Sequence, residues 1–256
     1  MKQRMKINES LLVVILGLLI STVVMVRLTV FQPSYAERTI QDYAQEKGIS
    51  PREYPDSLVK LLEQNPETES FVLNYPFRGE RPIDLKDIDR SQGVPLLLQW
   101  DPRWGYEQYG NDFVAITGSA PLCLSMAGWY LTGDALFSPD EVIRFANDNG
   151  YSAKGSGSKW TLISEGGTTL GLSVKELPLV EQKITDYLKA GNIIIAVVGS
   201  GDFTRESQFI VLTGYKNGAI SVNDPNSLEN SDKTWTYQQL ESQINNLWLI
   251  QARENG

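Results

Sequence analysis

The order of helix-type and strand-type segments predicts an α+β domain. Segments with apolar residues on one helical face come first, and short β-rich segments separated by turn residues follow them. The run NIIIAVVG (192–199) is typical of a strand buried on both faces. The turns between the later segments favour antiparallel pairing of three or four strands. The sequence therefore predicts helices packed on a small antiparallel sheet.

Composition excludes several classes of function. The 256 residues include no histidine and one cysteine, Cys123. A Ser-His or Cys-His catalytic pair and an intramolecular disulfide are therefore excluded, and we expect no metal site and no cofactor. The net charge is −8, and beyond residue 27 the chain holds 19 basic and 30 acidic residues. This acidic body argues against nucleic acid as a partner.

The N-terminal segment predicts a membrane anchor. A basic tail at residues 1–10 precedes an apolar run at residues 11–31. About 20 apolar residues span a bilayer as a helix, and the basic side stays in the cytoplasm. We therefore expect a single-pass cell-membrane protein with an extracytoplasmic body. The alternative is a signal peptide cleaved after Ala36, although the apolar run exceeds the usual ~7–15 residues. Both alternatives export the body.

Residues 32–93 form a charged, proline-containing lead-in. A short helix is predicted over residues 37–46, and a second one is capped by Asp56 or Ser57. The remainder is typical of a linker. We expect residues 94–256 to form the globular domain.

The stretch GSAPLCLSM (118–126) predicts a tight turn followed by an apolar helix that ends at Gly133. Ser119 stands where this helix begins. A helix N-terminus has unpaired N–H groups and a partial positive charge. Chemistry that develops an oxyanion or uses a thiolate is often placed there.

Four motifs resemble those of the bacteriocin-processing-type (C39-like) cysteine peptidases, in the same order. They are QWDPRWG (99–105), GSAPLCLSM (118–126), SQFIVLTG (207–214) and VNDPNS (222–227). The resemblance covers about residues 94–250 and implies a papain-like fold, in which an N-terminal helical part packs on a small antiparallel sheet. The lead-in stretch YPDSLVKLLEQNPETESFVLNYP (54–76) resembles the lead-in of many exported C39-like proteins of Gram-positive bacteria.

The resemblance implies four catalytic positions. In the family a cysteine attacks the scissile carbonyl and a histidine activates it, and these positions hold Ser119 and Gln208 here. Asp202 also stands where a histidine often appears. Gln99, which matches the oxyanion-hole glutamine, and Asp224, which matches the orienting acid, are retained. The domain is therefore degenerate at both reacting positions.

We expect a membrane-anchored pseudopeptidase that binds peptide or protein partners in a groove near Trp104 and Trp160. One alternative is a hydrolase in which Ser119 is the nucleophile and an acid or a lysine is the base. The candidate lysines are Lys154, Lys159 and Lys216. The other alternative is a cell-surface interaction protein that acts through residues 37–90.

Two further residue groups have structural interpretations. Cys123 lies one helical turn beyond Ser119, and a lone cysteine in an apolar helix is typically a small core residue. Acidic and amide side chains after residue 223 are reminiscent of calcium ligands, but the glycine and terminal glutamate of a calcium loop are missing. We expect a solvated turn at these positions, which are Asp224, Asn226, Glu229 and Asp232.

Overall fold

The computed structural model describes residues 13–19, 21, 32–153 and 157–253. The chain divides into two compact units, with the boundary between Pro51 and Arg52. Much of the predicted membrane span, residues 11–31, lies outside the described residues. Within the described ranges, no helix is both long enough and apolar enough to cross a membrane.

The first unit contains helix α1, Tyr35–Lys47. A capping box begins it: Ser34 Oγ accepts a hydrogen bond from the Glu37 N–H at 3.2 Å, and the Glu37 carboxylate accepts one from the Ser34 N–H at 2.8 Å. Gly48 ends the helix with a left-handed φ of 69°. The helix predicted over residues 37–46 is confirmed and is longer at both ends.

The described residues of the second unit contain nine α-helices. They are α2 (Asp56–Gln64), α3 (Glu69–Leu73), α4 (Val114–Thr117), α5 (Ser119–Thr132), α6 (Pro139–Asp148), α7 (Gly167–Thr169), α8 (Glu181–Lys189), α9 (Leu228–Asp232) and α10 (Tyr237–Glu241). The predicted cap of α2 is wrong, because Pro55 occupies the N-cap position and supplies no side-chain hydrogen bond. The predicted glycine stop of α5 is confirmed at Gly133, whose φ is 65°.

The strands form a hairpin and a six-stranded antiparallel sheet. Strands β1 (Gln108–Tyr109) and β2 (Asp112–Phe113) make the hairpin. The larger sheet has the order β3-β8-β4-β5-β6-β7, which is wider than the three or four strands expected. Its strands are β3 (Leu172–Glu176), β4 (Ile193–Val198), β5 (Gln208–Lys216), β6 (Ala219–Asn223), β7 (Thr234–Trp235) and β8 (Ile244–Ala252).

Strand β4 is buried on both faces, as its β-branched run predicts. Ile195 and Val197 point to one face of the sheet and join the hydrophobic core that contains α5 and α6 residues. Ile194 and Val198 point to the other face and join the core that contains α8 residues. The period of two along a strand therefore explains the three layers of helix, sheet and helix.

The later part of the lead-in packs within the second unit. The ring of Phe71 stacks on Tyr106 at 4.1 Å, and the Tyr106 hydroxyl donates to the Phe71 carbonyl at 2.6 Å. The Trp129 indole N–H donates to the Ile88 carbonyl at 3.0 Å. The compact unit therefore begins near residue 52, well before the predicted boundary at residue 94, because apolar side chains of the lead-in complete its core.

Candidate functional site

The turn before α5 requires a glycine. A Cβ atom on Gly118 would lie 2.6 Å from the backbone oxygen of Val114, which is closer than real contacts allow. Helix α4 can therefore run directly into α5, with Ser119 as the first residue of the new helix. Pro121 fits the first turn because its missing N–H would be unpaired there in any case.

Ser119 lies against the first residues of β5. Its Oγ accepts a hydrogen bond from the backbone N–H of Phe209 at 3.3 Å, and the residue is partly exposed. Gln208 precedes Phe209 in the strand and is buried. The fold thus brings the predicted nucleophile position next to the predicted base position, although the two are far apart in sequence.

The side chain of Gln208 is hydrogen-bonded to the carboxylate of Asp224. Its side-chain amide N–H donates to Asp224 Oδ1, which also accepts the backbone N–H of Asn226 at 2.8 Å. Asp224 Oδ2 accepts the Asn230 amide N–H at 2.9 Å. The carboxylate therefore has three hydrogen-bond donors, and each of them is electrically neutral.

Burial raises the pKa of the Asp224 carboxyl to about 6, against the lowering effect of its hydrogen bonds. Negative charge on Glu67 acts in the same direction as burial. Asp224 is fully buried, so the expected solvated turn is wrong at this residue. Within the described part of the chain, no group of three or more Cys, Asp or Glu side chains is placed to hold a metal ion.

Gln99 joins the same site from the segment before α4. Its backbone N–H donates to the Pro225 carbonyl at 2.7 Å, directly beside Asp224. Its side-chain Nε2 donates to the Ala115 carbonyl at 2.7 Å, whereas its buried Oε1 has no hydrogen-bond partner among the described residues. Gln99 is therefore held in the site through its backbone N–H and its side-chain amide N–H.

The two predicted groove tryptophans have different environments. Trp160 is 44% exposed and meets the buried Trp248 ring edge-on at 6.1 Å. Trp248 in turn stacks on Phe209, the residue whose N–H reaches Ser119. Trp104 is only 1% exposed, and its indole N–H donates to the Leu98 carbonyl at 2.8 Å. Trp104 is therefore a core residue, and its predicted place in an open groove is wrong.

Cys123 is fully buried, as expected for a small core residue. Burial raises the pKa of its thiol well above the usual value, and the negative charge of Asp224 raises it further. A thiol without a thiolate fraction is a poor nucleophile. Burial and the raised pKa therefore make Cys123 a poor candidate for a nucleophile.

Among the described residues, the candidate lysines make no hydrogen bond to Ser119. Lys159 donates its amine to the Gly150 carbonyl at 2.7 Å, and Lys154 lies outside the described residues. Across residues 32–153 and 157–253, no lysine amine is hydrogen-bonded to Ser119. Asp202 accepts the Gln243 amide N–H at 2.7 Å, so its hydrogen bond anchors a loop and does not reach Ser119.

All four positions named by the motifs therefore converge: Gln99, Ser119, Gln208 and Asp224. Sequence reasoning missed Asn230 and Glu67, which also act on the Asp224 carboxyl. Glu67 acts across segments that are far apart in sequence, and Asn230 lies in the same turn as Asp224 but belongs to none of the four motifs.

The chain is similar to C39-like peptidase domains of known structure. The peptidase domain of Streptococcus ComA, a bifunctional ABC transporter involved in a quorum-sensing pathway, is 16% identical with a TM-score of 0.41, and the match covers 58% of this chain and 99% of that chain. A C39-like peptidase from Bacillus anthracis is 14% identical with a TM-score of 0.38, and the match covers 65% of this chain and 98% of that chain. The Streptococcus mutans ComA peptidase domain with a small-molecule inhibitor is 19% identical with a TM-score of 0.31. This match covers 37% of this chain and 75% of that chain. No protein-family model and no curated protein matches the chain.

Proposed function

We propose that this protein is a membrane-anchored, extracytoplasmic C39-like pseudopeptidase that binds peptide or protein partners without cleaving them. The observation that carries the proposal is the contact between Gln208 and Asp224. Gln208 stands at the position that resembles the catalytic histidine, its side-chain amide contacts Asp224, and the backbone N–H of the next residue, Phe209, contacts Ser119. Under this proposal the site keeps the arrangement of a peptidase without a group that can accept the proton of Ser119.

The missing base supports the absence of hydrolysis. A serine hydroxyl needs a general base to become a nucleophile, and an amide nitrogen cannot accept a proton at neutral pH. The chain has no histidine, and Asp224 is already occupied by three donors. Removing one member of a catalytic triad lowers kcat by roughly 10⁴-fold or more. With both reacting positions replaced, we expect no detectable turnover.

The surface around Ser119 supports a binding role. Ser119 remains partly exposed, and the exposed Trp160 is connected to it through Trp248 and Phe209. An exposed indole supplies apolar contact area at a low entropic cost. We propose that a peptide segment lies across Ser119 and packs one apolar side chain on Trp160.

Export remains a proposal based on the N-terminal sequence. The basic tail at residues 1–10 and the apolar run at residues 11–31 support a retained anchor with a cytoplasmic N-terminus. The capping box at Ser34 adds support, because cleavage after Ala36 would remove the N-cap of helix α1. Protease accessibility of the second unit in intact cells tests the orientation.

The experiment that tests the function uses the full-length protein and a matched Ser119→Ala variant. Both are incubated with a mixed peptide library, and mass spectrometry records the peptides that are cleaved and the peptides that stay bound. We expect no cleavage by either protein and a common set of retained peptides. Cleavage that the Ser119→Ala substitution abolishes would favour the serine hydrolase. An absence of retained peptides would favour a protein that acts through its lead-in.

A further inference from the structure

The segment that carries Asp224, residues 224–231, is held from outside by the lead-in. We call it the Asp224 turn. Two lead-in residues, Asn65 and Glu67, hydrogen-bond to it across 160 or 161 positions of sequence. Neither residue belongs to the four motifs of the site.

Glu67 holds the Asp224 turn with both carboxylate oxygens. Oε1 accepts the Ser227 hydroxyl at 2.6 Å, and Oε2 accepts the Leu228 N–H at 2.8 Å. The Ser227 Oγ also accepts the Asn230 N–H at 3.1 Å, which caps the short helix α9. Asn230 in turn donates its amide to Asp224 Oδ2. The chain of contacts from Glu67 to the Asp224 carboxylate therefore has only two intermediate residues.

Asn65 holds the same turn at its other end. Its amide N–H donates to the Asn226 carbonyl at 2.6 Å, and the Trp100 indole N–H donates to the same carbonyl at 3.1 Å. The Asn226 N–H donates to Asp224 Oδ1. The carbonyl of Asn226 is thus held by Asn65 and Trp100, and its N–H group is held by Asp224.

We infer that Asn65 and Glu67 are positioning residues of the candidate site, which hold the Asp224 turn so that the carboxylate of Asp224 faces Gln208. The site therefore depends on a part of the chain that precedes its motifs. Asp224 is fully buried among neutral donors, so its orientation depends on the backbone of its own turn. A lead-in that merely tethered the domain would not contact this turn at three points.

The inference deepens the proposed function because it concerns the same site, but its test needs no ligand and no turnover. The full-length protein is compared with Glu67→Ala, Glu67→Gln, Asn65→Ala and the control Lys60→Ala, at an exposed position of helix α2. Glu67→Gln keeps both contacts, since its oxygen can accept the Leu228 N–H while its amide donates to Ser227 Oγ. It removes the negative charge and reverses the direction of the Ser227 hydrogen bond.

Two measurements are made on each protein. Amide hydrogen exchange reports opening of the Asp224 turn, with strand β4 as the internal reference. Carboxyl NMR of labelled aspartate reports the pKa of Asp224. For Glu67→Ala we expect amides 226–231 to exchange about tenfold faster or more while β4 is unchanged, and the pKa of Asp224 to fall by about one unit or more as water enters.

The control variants separate positioning from charge and from global stability. Glu67→Gln should keep the slow exchange of the parent and lower the pKa of Asp224 only slightly, and Lys60→Ala should match the parent in both measurements. Asn65→Ala should loosen the turn near residue 226. Exchange in the Glu67→Ala turn equal to that of the parent would overturn the inference, and so would a uniform acceleration that includes β4. Cleavage of peptides by the parent would refute the proposed function but would leave this result unchanged.

Discussion

Replacing Asp224 with asparagine should remove a pH-dependent cost in stability. Burial raises the pKa of Asp224 to about 6, compared with 3.8 for an unperturbed carboxyl. Between these values the folded protein holds a proton that the unfolded chain has lost. The free energy of unfolding of the parent therefore decreases as the pH rises through this window.

The expected magnitude follows from the difference in pKa. A shift of one unit corresponds to about 1.4 kcal/mol, so a shift of about two units amounts to about 3 kcal/mol between about pH 4 and pH 7. Asp224→Asn has no proton to lose at this position. Its amide can also be accommodated, because the Asn230 side chain can turn its oxygen toward the new N–H group.

The assay is urea unfolding followed by tryptophan fluorescence. All six tryptophans belong to the second unit, so the signal reports the domain that contains the site. The stability of the parent minus that of Asp224→Asn is measured at several values from about pH 4 to pH 7. We expect this difference to become less favourable to the parent by about 3 kcal/mol as the pH rises. A difference that is independent of pH, or that grows in favour of the parent, would refute the conclusion that burial raises the pKa of Asp224.

Three further predictions concern the core and the groove. Cys123 should resist alkylation at neutral pH in the folded protein and react fully in denaturant, because burial raises the pKa of its thiol; rapid labelling of the native protein would contradict its place in the core. Gly128→Ala should lower the free energy of unfolding by about 1–3 kcal/mol, because the new Cβ would lie 2.0 Å from the Phe137 ring. An unchanged urea midpoint would show that there is room for a methyl group between residue 128 and the Phe137 ring. Trp160→Ala should raise the Kd for a retained peptide about tenfold while the melting temperature stays nearly constant, and equal affinities would exclude Trp160 from the groove.

The elements that the sequence predicts well are those whose signals are local. Helix α5 is bounded by a glycine at each end, and strand β4 is a continuous β-branched run, so both can be located from adjacent residues alone. The α+β arrangement follows from the order of such segments. The four motif positions are also brought together, with Gln208 on Asp224 and the Phe209 N–H on Ser119.

The features that sequence reasoning missed depend on contacts between distant segments. The charged composition of residues 52–93 is typical of a linker, yet Phe71 and Ile88 pack with residues of the later domain. Trp104 is predicted to lie near the groove, but tertiary packing buries its side chain. The role of Glu67 has no local pattern, because its partners Ser227 and Leu228 lie at the far end of the chain.

The most direct test of the account introduces a cysteine and a histidine at the two positions that the proposed function treats as degenerate. Ser119→Cys with Gln208→His is compared with Ser119→Cys alone and with the parent, using cleavage of the same peptide library. We expect no cleavage by the parent, and a rate for the double variant that exceeds that of the single variant by about 10²-fold or more, because a base would then stand between Asp224 and the nucleophile. Cleavage by the parent, or a folded double variant no faster than the single variant, would contradict the claim that Gln208 occupies the position of a catalytic base.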